Sequence, residues 1–99
     1  MFEMKDLETH FGKTMQINGM TFTLEKEEAL SGVLAVWIGE IYRIYATPYY
    51  EGVSIPVHIV DFNNEEIGTD SYNVEIFDYE RYCKVVKTLS ENIIRINRM

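Results

Sequence analysis

Three side chains of this sequence could take part in nucleophilic catalysis: the thiol of Cys83 and the imidazoles of His10 and His58. A cysteine becomes a strong nucleophile when a neighbouring histidine accepts its proton. The spacing of these residues matches no known pattern of cysteine enzymes, and Cys83 falls beside an apolar stripe, where a buried structural cysteine is expected. We therefore predict no catalytic residue. His58 is expected opposite the apolar residues of its strand, as a solvated or hydrogen-bonded side chain, and His10 is expected to be a favourable cation near a helix C-terminus. The alternative is a small-ligand or enzyme domain that uses His58 or Cys83 in a pocket on the concave face of a sheet.

Metal chemistry has one partial pattern in the sequence. Asp61, Asn63 and Glu65 are spaced like the first three ligands of an EF-hand calcium loop. Glu66 stands where that loop needs glycine, however, and Tyr72 stands where it needs a bidentate glutamate. The sequence also has no Cys or His cluster for zinc and no glycine-rich phosphate-binding loop. It therefore predicts no metal site and no cofactor.

The charged residues are distributed unevenly along the chain. Residues 1–50 contain four basic and seven acidic side chains, residues 51–80 contain eight acidic and no basic ones, and residues 81–99 contain five basic and one acidic. The net charge of -7 disfavours direct binding to nucleic acid, because an acidic surface repels phosphate. The acidic middle segment is the feature that points most clearly to a function.

Aromatic residues with a polar group accompany this acidic segment, and such residues commonly anchor interfaces. We expect turns at residues 47–52 and 63–70 to present carboxylates, in place of phosphates, to a basic nucleic-acid-binding protein such as a nuclease. Alternate residues of a strand lie about 6.6 Å apart, close to twice the roughly 3.4 Å rise per nucleotide of one DNA strand. The predicted partner-binding residues are Tyr49, Tyr50, Glu51, Asp61, Glu65, Glu66, Asp70 and Glu75.

In size and composition the chain is similar to the small acidic inhibitors that mobile genetic elements use against host nucleases, such as anti-restriction proteins and the anti-CRISPR proteins of phages, and to immunity proteins of nuclease toxins. This is a likeness of class, so no residue roles are carried over. It implies a non-enzymatic inhibitor. The alternatives are the pocket domain described above, a structural subunit that forms a homodimer through a strand edge or apolar patch, and an acidic surface that serves only solubility.

Helical spacing of apolar residues at both ends of the chain predicts the elements that flank a sheet. A short helix is expected over residues 3–11, where apolar residues recur at i, i+3 and i+7. A longer amphipathic helix is expected over residues 79–94, with Asp78 as its N-cap.

Alternating residues between these helices predict the strands. Asn18-Gly19 is the dipeptide favoured in two-residue hairpin turns, and it predicts a hairpin of residues 14–17 and 20–24. Pairing Ile17 with Met20 and Met15 with Phe22 places these four side chains on one face and leaves the other face wet. The charged residues 25–32 are interpreted as a connection or one helical turn. Residues 33–45 are interpreted as one long central strand with a bulge at Gly39.

Two further strands are expected in the second half of the chain. Residues 53–59 alternate, with Pro56 placing that strand at an edge or bulge because proline cannot donate to the ladder. A polar excursion at residues 67–70 separates it from a fifth strand at 72–76. The fold class is therefore α+β: a small single domain, residues 1–99, with an antiparallel sheet of about five strands flanked by a short N-terminal helix and a longer C-terminal amphipathic helix.

Length and cysteine usage set the remaining expectations. A chain of 99 residues is sufficient for one hydrophobic core. The lone Cys83 fits a reducing compartment, and the acidic N-terminal segment does not resemble a secretory signal. The longest apolar segment, residues 33–38, is far shorter than the roughly 20 residues needed to span a bilayer. We therefore predict a cytoplasmic protein with no membrane association.

Overall fold

A computed structural model describes residues 2–48, 54–73 and 76–97 of the chain. It confirms the α+β class: one antiparallel sheet carries a C-terminal helix on one face. In chain order the elements are a 3₁₀ helix Met4–Leu7, strands β1 Thr14–Ile17, β2 Met20–Ala29, β3 Gly32–Ile38, β4 Tyr42–Tyr45, β5 Ile55–Asp61 and β6 Glu66–Tyr72, and helix α1 Tyr79–Asn97.

The described part of the sheet has six strands rather than about five, and each strand pairs with its neighbours in sequence in the order β1-β2-β3-β4-β5-β6. All five pairings are antiparallel. Helix α1 packs against β5 and β6 and also against β1. The sheet therefore curls around α1, and its other face is left uncovered by any described element.

The predicted Asn18-Gly19 hairpin is confirmed, including its register. Ile17 pairs with Met20, and Met15 pairs with Phe22. Asn18 and Gly19 both have positive φ, 51° and 77°, which is the backbone conformation of a type I′ turn. The expected wet face is present as well, since the side chains opposite this apolar set are exposed.

The interpretation of residues 25–32 as a connection was wrong. Strand β2 continues to Ala29 and pairs residue by residue with β3 up to Ala29 opposite Gly32. The charged residues can occupy a strand here because residues 25–29 are exposed or half-buried. Only Leu30 and Ser31 remain as the turn, and Gly32 has a φ of 125°, which favours glycine.

The long central strand expected at 33–45 is instead two strands joined by a tight turn. The backbone N–H of Gly39 donates to the carbonyl of Tyr42 at 2.9 Å, which reverses the chain between β3 and β4. A Cβ atom at Gly39 would lie 2.7 Å from the ring of Phe22. Gly39 therefore allows the close approach of the turn to the core, and it marks a reversal rather than the predicted bulge.

The two strands of the second half are shifted from their predicted positions. β5 lies between β4 and β6, so it is an internal strand, but its pairing with β4 ends at Tyr45 opposite His58. Pro56 therefore lies beyond the end of β4, where its missing N–H removes no bond to that strand. β6 covers the residues expected as a polar excursion, and the predicted strand at 72–76 overlaps it only at Tyr72; residues 74–75 lie outside the described residues.

A bulge interrupts the pairing of β5 with β6. Ile59 pairs with Gly68, but the next residue, Val60, pairs with Glu66, so Ile67 is the extra residue. The bulge turns both Ile67 and Gly68 toward α1, where a Cβ atom at Gly68 would lie 2.6 Å from Ile93. This arrangement lets the helix pack closely on the sheet.

The core lies between the sheet and α1. One row of paired residues, Leu24, Trp37, Ile44 and Ile59, is wholly buried against the helix. The predicted helix cap is confirmed, since Oδ1 of Asp78 accepts the N–H of Arg81 at 2.8 Å. The N-terminal helix is only one 3₁₀ turn, and Phe2 beside it stacks on Tyr82 of α1 at 5.2 Å between ring centroids.

Candidate functional site

The outer face of the sheet, defined as the face opposite α1, carries a row of paired side chains across five strands. Residues paired across an antiparallel sheet project from the same face. The central row of the outer face is Glu25, Val36, Tyr45, His58 and Thr69. On one side of it lies the row Thr23, Ile38, Arg43, Val60 and Glu66. This surface combines carboxylates, an imidazole, a phenol and a guanidinium over an apolar base.

Tyr45 is the centre of a polar network on the outer face. Its phenol lies within interaction range of the Glu27 carboxylate. Partial burial and then this carboxylate raise the pKa of Tyr45, while Arg43 opposes the shift. Nη1 of Arg43 lies 3.5 Å from the same phenol oxygen. Val36, which pairs with Tyr45, is 2% exposed.

Arg43 is directed from this network toward the β5–β6 turn. Its Nη2 donates to Oδ1 of Asn64, and its guanidinium lies 5.4 Å from the centroid of the Phe62 ring. Its Nε is buried and has no hydrogen-bond partner within the described residues. The side chain is therefore held in place at one border of the outer face.

A cavity of about 370 Å³ opens on the outer face next to Tyr45 and His58. Its size falls within the range of roughly 300–1,000 Å³ typical of small-molecule sites. Nε2 of His58 donates to Oε1 of Glu66 at 3.2 Å, which leaves Nδ1 of the ring for another partner. The main lining residues are Leu34, Tyr45, Thr47, Pro48, Pro56 and His58.

The β2–β3 hairpin extends beyond the neighbouring strands and forms one wall of this region. In the described part of the chain, residues 25–29 of β2 pair only with β3, and Leu30 at the tip is fully exposed. Glu25 and Glu28 are exposed along the hairpin. We call residues 25–34 the projecting hairpin. It presents an acidic surface with an apolar tip beside the cavity.

The acidic residues predicted to bind a partner do not lie on one surface where the structure describes them. The β5–β6 bulge places Glu66 on the outer face, with His58. Asp70 pairs with the core residue Val57 and so lies on the α1 side, where its Oδ1 accepts the N–H of Ser71 at 2.8 Å. Residues four apart in a regular strand share a face, so the bulge separates these two carboxylates.

The remaining predicted residues have different positions. Oδ1 of Asp61 accepts the backbone N–H groups of Asn63 and Glu65 at 2.8 and 3.0 Å, so this carboxylate closes its own turn. Glu65 is exposed in that turn. Tyr49, Tyr50, Glu51 and Glu75 lie outside the described residues.

No protein-family model, curated protein or solved structure matches this chain. Any functional proposal therefore depends on the chemistry of the outer face. Across residues 2–48, 54–73 and 76–97, no helix is long and apolar enough to cross a bilayer. In the same residues, no three His, Cys, Asp or Glu side chains are grouped closely enough to hold a metal ion.

The possible Cys–His pair is interrupted by a tyrosine on the α1 side. His10 stacks on Tyr79 at 3.7 Å between ring centroids, and the Tyr79 hydroxyl donates to Cys83. Burial raises the pKa of the Cys83 thiol, although the Tyr79 hydrogen bond and Lys13 act in the opposite direction. A raised pKa keeps the thiol protonated, and the thiolate is the nucleophilic form.

His10 is part of the same contact but is not the favourable cation expected from a position near a helix end. Lys13 donates from Nζ to Nδ1 of His10 at 2.9 Å. Partial burial and then the Lys13 ammonium lower the pKa of His10. Both effects favour the neutral imidazole.

Sequence reasoning missed Glu25, Glu27 and Leu34 as components of the candidate site. The signal was present: from Glu25 to Leu34 the chain can form two short strands around Leu30-Ser31, with Glu25 and Glu27 alternating on one face. A charge cluster followed by Ser-Gly, however, is also typical of a loop, so sequence reasoning interprets these residues as a connection rather than as a hairpin.

Proposed function

We propose that this protein is a non-enzymatic inhibitor of a basic nucleic-acid-handling protein, such as a nuclease, and that it binds this partner through the outer face and the projecting hairpin. The partner class follows from the acidic composition. The binding surface is revised from the acidic turns to the hairpin and the outer face, where, in the described part of the chain, four carboxylates accompany two cations, Lys26 and Arg43. These carboxylates belong to Glu25, Glu27, Glu28 and Glu66.

The supporting observation, among the described residues, is an excess of carboxylates on this surface over its two cations, Lys26 and Arg43. On the other side of the sheet the described charges are balanced: the cations of α1 are Arg81, Lys84, Lys87 and Arg95, and the carboxylates are those of Asp70, Asp78, Glu80 and Glu91. A basic partner is therefore attracted to the outer face and the projecting hairpin, and this attraction speeds association.

Spacing along β2 agrees with mimicry of phosphates. Glu25 and Glu27 are two residues apart in one strand and project from the same face. Their Cα atoms are thus separated by about 6.6 Å, close to twice the roughly 3.4 Å axial rise per nucleotide of one DNA strand. The exposed Leu30 at the hairpin tip adds an apolar contact, which gives affinity that charge alone does not supply.

The test is inhibition of purified nucleases with pI above about 9, the range expected of nucleic-acid-binding domains. We expect at least one to be inhibited, with association that slows steeply between about 50 and 200 mM salt. Glu25→Lys combined with Glu28→Lys should abolish inhibition. Glu8→Lys combined with Glu40→Lys changes the net charge equally at exposed sites elsewhere and should keep it.

Two outcomes would contradict the proposal. If no basic nuclease is inhibited, the partner class is wrong. If the hairpin pair and the control pair weaken inhibition equally, the effect comes from overall charge, and the outer face is not the binding surface. Thermal unfolding of all variants provides the folding control, since exposed substitutions shift stability by less than about 0.5 kcal/mol.

The cavity favours a second candidate function, a small-ligand-binding domain. Its volume and its mixture of apolar walls with a phenol, a hydroxyl and an imidazole are typical of such sites. It lies on the outer face, whereas the sequence hypothesis placed a pocket on the concave face, which the core and α1 fill. Binding of a small molecule with no effect on any nuclease would favour this candidate.

A further inference from the structure

We infer that the cavity on the outer face binds a guanidinium side chain, that of an arginine presented by the basic partner. The choice of a basic side chain rests on the proposed function. The site and its ligand chemistry are argued from the residues around the cavity. The walls are formed by Leu34, Pro48 and Pro56 together with the half-buried ring of Tyr45.

These walls suit a side chain with a hydrocarbon stem and a flat end group. Aliphatic and proline carbons pack against methylene groups, and arginine buries its stem in this way while its charge stays near polar atoms. A planar guanidinium also stacks on aromatic rings. Tyr45 provides such a ring at the cavity, whereas a compact ammonium would use it less well.

A carboxylate lies near each of two polar lining residues, Tyr45 and His58. The Glu27 carboxylate acts on the phenol of Tyr45, and Oε1 of Glu66 lies 3.2 Å from Nε2 of His58. Glu25 is in the same cross-strand row as these two lining residues. An anionic ligand would be repelled from this site, while a cation is attracted from several directions.

The chain already holds one guanidinium next to the cavity. Arg43 approaches the Tyr45 hydroxyl at 3.5 Å and lies over the Phe62 ring. Its other nitrogen is bound by Asn64 in the β5–β6 turn. It does not line the cavity, so a second guanidinium can enter from the opposite side of Tyr45, nearer to Glu27 and the projecting hairpin.

The experiment is a titration of ¹⁵N-labelled protein with N-acetyl-L-arginine amide, followed by backbone amide shifts. N-acetyl-L-citrulline amide is the control ligand, because it keeps the shape and removes the charge. We expect saturable shifts near residues 31–34, 45–48 and 56–58. A dissociation constant near about 1 mM corresponds to one side chain bound alone, and citrulline should bind at least about tenfold more weakly.

Substitutions then test the carboxylates. Glu27→Gln and Glu66→Gln should each weaken arginine binding about three- to fivefold, the range of partly exposed ion pairs. Glu40→Gln, at an exposed turn outside the cavity, should leave it unchanged. The inference is overturned if citrulline binds as well as arginine, if shifts concentrate elsewhere, or if Glu40→Gln weakens binding equally.

This experiment separates the inference from the proposed function, because it needs no partner protein. If the arginine amide fails to bind while the hairpin variant still abolishes nuclease inhibition, the cavity inference is wrong and the inhibitor proposal stands. If the arginine amide binds but no nuclease is inhibited, the cavity inference stands and the inhibitor proposal is wrong.

Discussion

Removal of one buried hydroxyl, that of Tyr82, should destabilise the protein strongly. This hydroxyl is wholly buried; it accepts the indole N–H of Trp37 at 3.2 Å and donates to the carbonyl of Ala46 at 2.6 Å. It therefore links α1 to β3 and to the segment after β4. Tyr82→Phe keeps the ring and its stacking on Phe2, so the variant tests the hydroxyl alone.

The expected loss follows from the two groups left behind. A buried donor or acceptor that loses its partner costs about 1–3 kcal/mol. Two such groups, the Trp37 N–H and the Ala46 carbonyl, give a loss of about 2–4 kcal/mol, with the longer Trp37 bond contributing less. For a domain of this size each kcal/mol shifts the unfolding temperature by about 4–8 °C. The variant should therefore melt at least about 8 °C lower.

Urea unfolding followed by fluorescence is a direct assay, because Trp37 is the only tryptophan. Tyr82→Phe should lower the midpoint without changing the slope, which shows that the loss is in stability rather than in compactness. Tyr72→Phe is the matched control; its side chain is 41% exposed, and its hydroxyl should matter by less than about 0.5 kcal/mol. A loss for Tyr82→Phe no larger than that of the control would refute the assigned hydrogen bonds.

Three further substitutions test other parts of the structure. Gly68→Ala should destabilise the protein by about 1–3 kcal/mol, because the new methyl group clashes with the Ile93 γ-methyl. Adding Ile93→Leu removes the γ-methyl and should restore part of the lost stability, as measured by urea titration. Burial and then Lys13 lower the pKa of His10 from its ordinary 6.5, so the contribution of His10 to stability is complete above that pH and decreases as the pH falls through it. His10→Gln should flatten the dependence of the unfolding free energy on pH between about pH 7.5 and 5.5. An unchanged slope would contradict the lowered pKa. Ser90 is buried with no partner for its hydroxyl in the described residues, so Ser90→Ala should raise the unfolding temperature; a lower one would show that the hydroxyl is bonded.

Local sequence patterns predicted the hairpin at Asn18-Gly19 and the C-terminal helix with its Asp78 cap, because both depend on contacts between residues close in sequence. The division of residues 33–45 into two strands depends instead on Gly39 approaching Phe22, a contact between different strands. Apolar composition alone does not distinguish one long strand from two that pair with each other.

The candidate site could be predicted only in part for the same reason. His58 was correctly placed on the face opposite the apolar residues of its strand. The separation of Glu66 from Asp70 results from the bulge, which places Gly68 against Ile93 of α1. That packing involves residues 25 positions apart in sequence and leaves no periodic signal in either segment.

Pairing of each strand with its sequence neighbours has a consequence for how the chain folds. Short loops are closed at low entropic cost, so a meander can be assembled one hairpin at a time and should fold quickly for a β-rich domain. The docking of α1 is different, because it joins distant segments: Asn18 donates to the carbonyl of Glu91 at 3.3 Å. Closure of the helix onto β1 is thus the step expected to limit the folding rate. The projecting hairpin forms before that step, so changes in it should act mainly on the folding rate.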